Sequence, residues 1–284
     1  MRERDPNVAA YVRNYQRLYP MARLAVNVSR RLNVTGTEHI PDGPAVIAAN
    51  HSSIFDPLYL ALAYYEETQE PLRFLAKRGY FDGKGTDDKG KFGQVVKFVM
   101  NATGQIPVDR GGRGNGGAAL DAAVQALTDD GHAIGIFPEG TLVEPGKQAR
   151  FHAGAAQIAL RANVPLVPVA ITPDRDTNGE LKPDGWLSAI NVRFGEPVDT
   201  ESHSNGLHHI HQSAAEARFV TTDLEASLAA LTGYTRTGVL QNQVNYGAVI
   251  VAASADAIMA RASLVVVACI NCSRISLAPG KSLT

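Results

Sequence analysis

Cysteine is nearly absent: 284 residues carry two, Cys269 and Cys272, both close to the C-terminus. With none in the body of the chain, no disulfide framework supports the fold, and the interior is that of a reduced protein. The pair spells CxxC, but a single pair without a second one or a neighbouring βαβ pattern reads as two incidental thiols. Net charge is scarce as well. A balance of −1 and a pI near 6.7 exclude a general electrostatic pull toward nucleic acid, so any charged partner must be met by a local patch. No charged-then-apolar leader with a small-residue cleavage site opens the sequence, and the expected location is the cytoplasmic side. A clean membrane span is missing too: the apolar stretch from Tyr246 to Ile270 is interrupted by Asp256 and Arg261, each costing about 3 kcal/mol near a bilayer centre.

Two further motifs fall short. Gly85 to Lys91 fits GxxxxGK, but Phe92 stands where a phosphate loop needs serine or threonine, and the approach is a polar loop rather than a strand. His203, His208, His209 and His211 have no acidic or cysteine partner at ligand spacing, so the segment reads as a solvated loop and no metal is expected.

What is present is a 45% hydrophobic chain, ample for a sizeable core. Apolar runs at 45–49, 72–76, 104–108, 133–137, 165–171 and 190–194 alternate with helix-like segments near 57–67, 93–102, 117–129, 152–162 and 213–231. That alternation predicts an α/β domain, a largely parallel mixed sheet flanked by helices, with ligands gathered at the strand C-terminal ends. Before it, residues 1–31 carry seven arginines against Glu3 and Asp5, a surplus of five positive charges. Apolar and aromatic residues recur there at helical spacing, with Pro20 as a break, which predicts an amphipathic helical hairpin. Such a pair could pack on the domain, lie in a membrane interface, or do both. The expected organisation is N-terminal membrane-association helices over 1–35, a catalytic domain over 36–236, and a tail over 237–284 whose role the sequence does not state.

Chemistry concentrates where apolar runs end. "AVIAANHSSIFDP" stops on Asn50 and His51, and five residues beyond the histidine reaches Asp56, just before Pro57 at a helix start. Across such a turn a carboxylate can hold one imidazole nitrogen and leave the other as a general base. No GxSxG occurs and no cysteine is near, so a base of this kind would activate a hydroxyl of a substrate. "TGQIPVDRGG" ends a second run on Asp109 and Arg110, whose guanidinium suits a phosphate. "GIFPEGTLVEPGK" ends a third on Glu139, Gly140 and Thr141, with glycine allowing backbone N–H groups close to a ligand.

Taken together these stretches resemble the PlsC-like glycerolipid acyltransferases, the lysophosphatidic acid acyltransferase family. Its NHx4D block reads as Asn50, His51 and Asp56; GxIPxDR as Gly104, Ile106, Pro107, Asp109 and Arg110; FPEGT as Phe137 to Thr141; and a hydrophobic block with prolines as Val164 to Ile171. The resemblance covers roughly residues 20 to 235. It implies transfer of a fatty acyl group from acyl-CoA or acyl carrier protein to the sn-2 hydroxyl of lysophosphatidic acid, with His51 as base and Asp56 orienting it. It implies an acceptor phosphate on Arg110 and Lys77, an acceptor site lined by Asn50, Glu139, Gly140 and Thr141, no cofactor, and peripheral attachment to the membrane surface.

The chain departs from the family pattern at Leu142 and Val143, where arginine and serine often follow FPEGT, and at His152, where lysine is usual. Lys147, Arg150 or Arg113 could restore positive charge. Another lysophospholipid or a glycolipid as acceptor, a hydrolase, and a non-catalytic lipid-binding protein stay open as alternatives.

Overall fold

The computed structural model describes residues 6–29, 31–82, 91–108, 115–175, 189–200 and 214–237. The CxxC pair, the histidine loop, Arg110, Arg113 and the tail beyond 237 lie outside the described residues. The strands are β1 (Leu32–Thr35), β2 (Val46–Ala49), β3 (Arg73–Lys77), β4 (Ile106–Val108), β5 (Ile134–Ile136), β6 (Lys147–Gln148), β7 (Leu166–Pro173), β8 (Ile190–Phe194) and β9 (Thr235–Arg236). The helices are α1 (Pro6–Ser29), α2 (Asp56–Thr68), α3 (Gly79–Asp82), α4 (Lys91–Ala102), α5 (Asn115–Thr128), α6 (Gly154–Ala162) and α7 (Ala214–Thr232).

Seven strands form one sheet in the order β1-β8-β7-β2-β5-β3-β4, and β6 pairs with β9 separately. Every neighbouring pair in the large sheet is parallel except β7 with β8. The expected α/β domain with a largely parallel mixed sheet is therefore what forms. Its central strands read as unbroken apolar runs because both faces are covered. Val46 and Ala48 join the cluster under α5, α6 and α7, while Ala45, Ile47 and Ala49 join the one under α1 and α2. Strand β1 goes unnoticed in sequence because only Leu32 of its four residues is buried.

From β2 the chain moves on to β3, beyond β5; from β5 it returns through β6 to β7, on the other side of β2. Adjacent strands with onward connections in opposite directions leave a crevice at their carboxyl ends, where open α/β sheets bind ligands. The His51 and Glu139 turns both emerge there.

The N-terminal segment differs from the expected hairpin. It is a single helix of 24 residues with Pro20 inside it. A proline forfeits one helical hydrogen bond, but packing on both sides of it outweighs that loss. Tyr11, Tyr15, Leu18 and Val26 are buried, Tyr19 lies 4.7 Å from the Tyr65 ring, and the Asn14 amide donates to the Ala102 carbonyl at 3.0 Å. Among the described residues no helix is long and apolar enough to cross a membrane.

Gly104, in the turn before β4, fixes where α1 docks. Its φ is +66°, and a Cβ there would fall 2.4 Å from the Tyr11 ring. Its carbonyl accepts from Arg73 Nε at 2.7 Å, and the Arg73 guanidinium lies 5.6 Å from the Tyr11 ring centroid. Gly104→Ala should lower stability by about 2 kcal/mol, from the left-handed backbone and the displaced ring together. Chemical denaturation of the two proteins measures this.

Candidate active site

The turn after β2 is organised by one carboxylate oxygen. Asp56 opens α2 and is 2% exposed. Its Oδ2 accepts the backbone N–H groups of Ser52 and Ser53, both at 2.7 Å, and lies 3.1 Å from His51 Nδ1. An acceptor at Nδ1 selects the tautomer protonated there and leaves Nε2 to take a proton. The imidazole, 19% exposed, is steadied on its face by Phe137, stacked at 4.2 Å, and Phe137 in turn stacks on Phe74 at 5.8 Å.

The backbone beneath the histidine is held from the third block. Glu139 Oε2 accepts the His51 N–H at 2.8 Å, its Oε1 accepts the Ala149 N–H at 3.2 Å, and the His51 carbonyl accepts the Val143 N–H at 2.7 Å. Glu139 is 2% exposed. Burial pushes its carboxyl up to about 7; the two amides pull the other way, and the charge of Asp56 adds to the rise. Both carboxylate oxygens thus face the protein's own backbone.

The other sequence-derived residues fall into two groups. Asn50 is 2% exposed, and its side chain replaces a rung of the sheet: Nδ2 donates to the Ile171 carbonyl at 2.9 Å and Oδ1 accepts the Ile171 N–H at 2.7 Å. Gly140 turns the chain at φ +69°, its N–H donating to the Phe137 carbonyl at 3.0 Å, and a Cβ would press on the His152 ring at 3.0 Å. Thr141 is buried, yet its hydroxyl makes no hydrogen bond among the described residues. Lys77 ends β3, exposed, in register with Val108 at the end of β4. Arg110 follows two residues later in sequence, outside the described residues. Of the cations named as compensating, Lys147 is exposed and paired with Glu144 at 2.7 Å.

Sequence reasoning misses the Ser52 and Ser53 amides, because any residue type supplies an N–H. It also misses Ala149, a backbone partner ten residues from its acceptor. No group of histidine, cysteine and acidic side chains suited to a metal ion occurs among the described residues.

An α/β sheet carrying an imidazole–carboxylate pair at its strand ends is a candidate general-base site. The comparisons give the family. The Acyltransferase family model matches residues 31–172, which include all four blocks, and the chain belongs to that family. It is 32% identical over 156 residues to a Mycoplasma genitalium protein named "Probable 1-acyl-sn-glycerol-3-phosphate acyltransferase", covering 54% of each chain. It is 27% identical over 172 residues to human 1-acyl-sn-glycerol-3-phosphate acyltransferase alpha, covering 60% of this chain and 56% of the relative. The crystal structure of the Thermotoga maritima 1-acyl-sn-glycerophosphate acyltransferase PlsC is similar at a TM-score of 0.49 and 23% identity, over 81% of this chain and 84% of that one. The chain spans about half the length of the curated relatives it matches.

Two outcomes follow from this geometry. Asp56→Asn weakens the tautomer selection and the pull on two amides, and should lower turnover of any reaction that uses His51 as base by about 10²-fold or more. Steady-state kinetics on folded protein measures it. Glu139, raised above its unfolded value, favours the folded state below the ordinary carboxylate range, and that contribution is lost as pH rises through about 7. Glu139→Gln removes this dependence, so its melting temperature relative to wild type should climb between pH 5 and pH 8, measured by calorimetry.

Proposed function

We propose that the chain transfers a fatty acyl group from acyl-CoA or acyl carrier protein to the sn-2 hydroxyl of lysophosphatidic acid, giving phosphatidic acid at the cytoplasmic face of the membrane. The observation that carries this reading is the 3.1 Å approach of Asp56 to His51 Nδ1, inside a family of acyltransferases. A fixed tautomer with an available Nε2 is what a hydroxyl acceptor needs.

In this reading Nε2 removes the proton from the acceptor hydroxyl as its oxygen attacks the thioester carbonyl carbon. The new C–O bond forms, the tetrahedral oxyanion collapses, and the C–S bond breaks. The imidazolium returns its proton to the departing sulfur, leaving a free thiol and an ester. Asp56 stabilises the transient imidazolium without itself taking the proton. Glu139 braces the backbone under His51, and Asn50 ties the end of β2 to β7. Thr141 offers a buried hydroxyl with unused hydrogen-bonding capacity, and Lys77 with Arg110 receives the acceptor phosphate as a charge-assisted pair.

Attachment to the membrane surface is assigned to α1. Its outer face carries exposed Arg13 and Arg17 and, about two and three turns beyond Arg17, Leu24 and Val28 at 65% and 48% exposure. Apolar side chains beside arginines suit an anionic interface. Replacing both Leu24 and Val28 with aspartate should reduce co-sedimentation with phosphatidylglycerol vesicles by about tenfold or more without lowering the melting temperature. Unchanged sedimentation contradicts the assignment.

The reaction is tested by thiol release from palmitoyl-CoA with and without lysophosphatidic acid, with lipid products weighed by mass spectrometry. Acceptor-dependent release yielding phosphatidic acid, lost about 10³-fold or more in folded His51→Ala, is expected. Fatty acid appearing in place of ester indicates a hydrolase. Equal rates on phosphate-free acceptors contradict the phosphate role of Lys77 and Arg110.

A further inference from the structure

The carboxylate that holds His51 is itself held by a part of the chain beyond the family-matched span 31–172. Glu139 Oε1 depends on the Ala149 N–H. The strip around Ala149 is tied on both sides to a second buried carboxylate residue, Glu225 of α7, which is 8% exposed. Gln148 Nε2 donates to the Glu225 carbonyl at 2.9 Å, and the Phe151 N–H donates to Glu225 Oε1 at 2.6 Å. The remaining oxygen, Oε2, pairs with Arg236 of β9.

Strand β9 adds to the clamp. It runs parallel to β6, the Thr235 N–H donates to the Gly146 carbonyl at 2.9 Å, and the Thr237 N–H donates to the Gln148 carbonyl at 2.9 Å. Between α7 and β9, Tyr234 is 5% exposed. Burial pushes its phenol up to about 12, and the charges of Asp56 and Glu139 add to the rise. Among the described residues the titratable groups around Glu139 include His51 and Asp56 from the turn after β2, His152, whose ring lies beside Gly140, and Tyr234 from the turn between α7 and β9.

We propose that Glu225 is a positioning residue of the active site: it fixes the 148–151 strip, and through it the Ala149 hydrogen bond that holds Glu139 in place under His51. Its consequence for turnover rests on the acyltransferase reading above; its consequence for Glu139 does not. A helix that merely packed on the sheet would leave the Glu139 carboxyl indifferent to a change at Glu225. A strip that drifts away weakens an amide bond that favours the charged form, and so raises the titration midpoint.

The test is difference infrared titration of the Glu139 carboxyl in the full chain, without substrate, using Glu139→Gln to assign the band. Glu225→Ala should raise the midpoint by about half a pH unit or more. Glu225→Gln, which keeps an acceptor for the Phe151 N–H, should restore most of it. In the thiol-release assay, Glu225→Ala should lose about tenfold or more in kcat with a smaller change in KM, and Glu225→Gln should recover it. A folded Ala variant with an unmoved or lowered midpoint overturns the proposal, as do Ala and Gln variants that shift alike. If Glu225→Ala does not fold, Glu225→Asp must raise the midpoint in the same direction, and its failure to do so overturns the proposal equally. A shifted midpoint in a chain that transfers no acyl group would leave Glu225 in its role and reject the acyltransferase reading.

Discussion

One oxygen of one buried aspartate gathers the candidate site. Asp56 Oδ2 takes two backbone amides and faces the histidine ring, so the turn from β2 into α2 has a negative centre around which its N–H groups converge. A buried carboxylate is tolerated only when its lone pairs are used, and here the same bonds that satisfy it fix the imidazole. Position at the first turn of α2 adds the favourable end of the helix dipole. The imidazole is therefore oriented by what keeps the aspartate stable.

A second carboxylate supports the first from the neighbouring turn. Glu139 has its two oxygens on the His51 and Ala149 amides, so it acts on the backbone of the site. Its raised pKa is the cost of burial only partly offset by two amides and worsened by Asp56. The order of the strands places these groups together: β2 and β5 lie side by side and parallel, and the turns that leave them meet at the carboxyl ends of the sheet. Stacked Phe74 and Phe137 close one side of the histidine.

Much of the architecture is legible in the sequence because the central strands are buried on both faces and must be continuously apolar. Ile134 and Leu166, both 0% exposed, stand in runs that can be read directly. The meeting of His51 and Asp56 is legible from a spacing that spans a single turn. Other features are not, for reasons of distance. Asn50 reads as a substrate-binding residue, and nothing near it in sequence shows that its side chain bonds to Ile171, 121 positions away. Glu225 carries no local signal, since the amide it accepts lies 74 positions earlier. Pro20 reads as a break, but Tyr15 and Tyr19 before it pack on Tyr65 of α2, and Arg23 after it pairs with Glu66 of α2, which keeps α1 whole. Local sequence records propensity and period; it does not record which distant backbone group needs an acceptor.

The central claim is that Asp56 holds His51 in a single tautomer with Nε2 free to act as base. Nitrogen-15 NMR of histidine-labelled protein at pH 8, assigned by comparison with His51→Ala, tests it directly. The account predicts a proton on Nδ1, where the Asp56 carboxylate accepts it, and a tautomer mixture in Asp56→Ala. A proton on Nε2 in the wild type, or an unchanged spectrum in the aspartate variant, would contradict it.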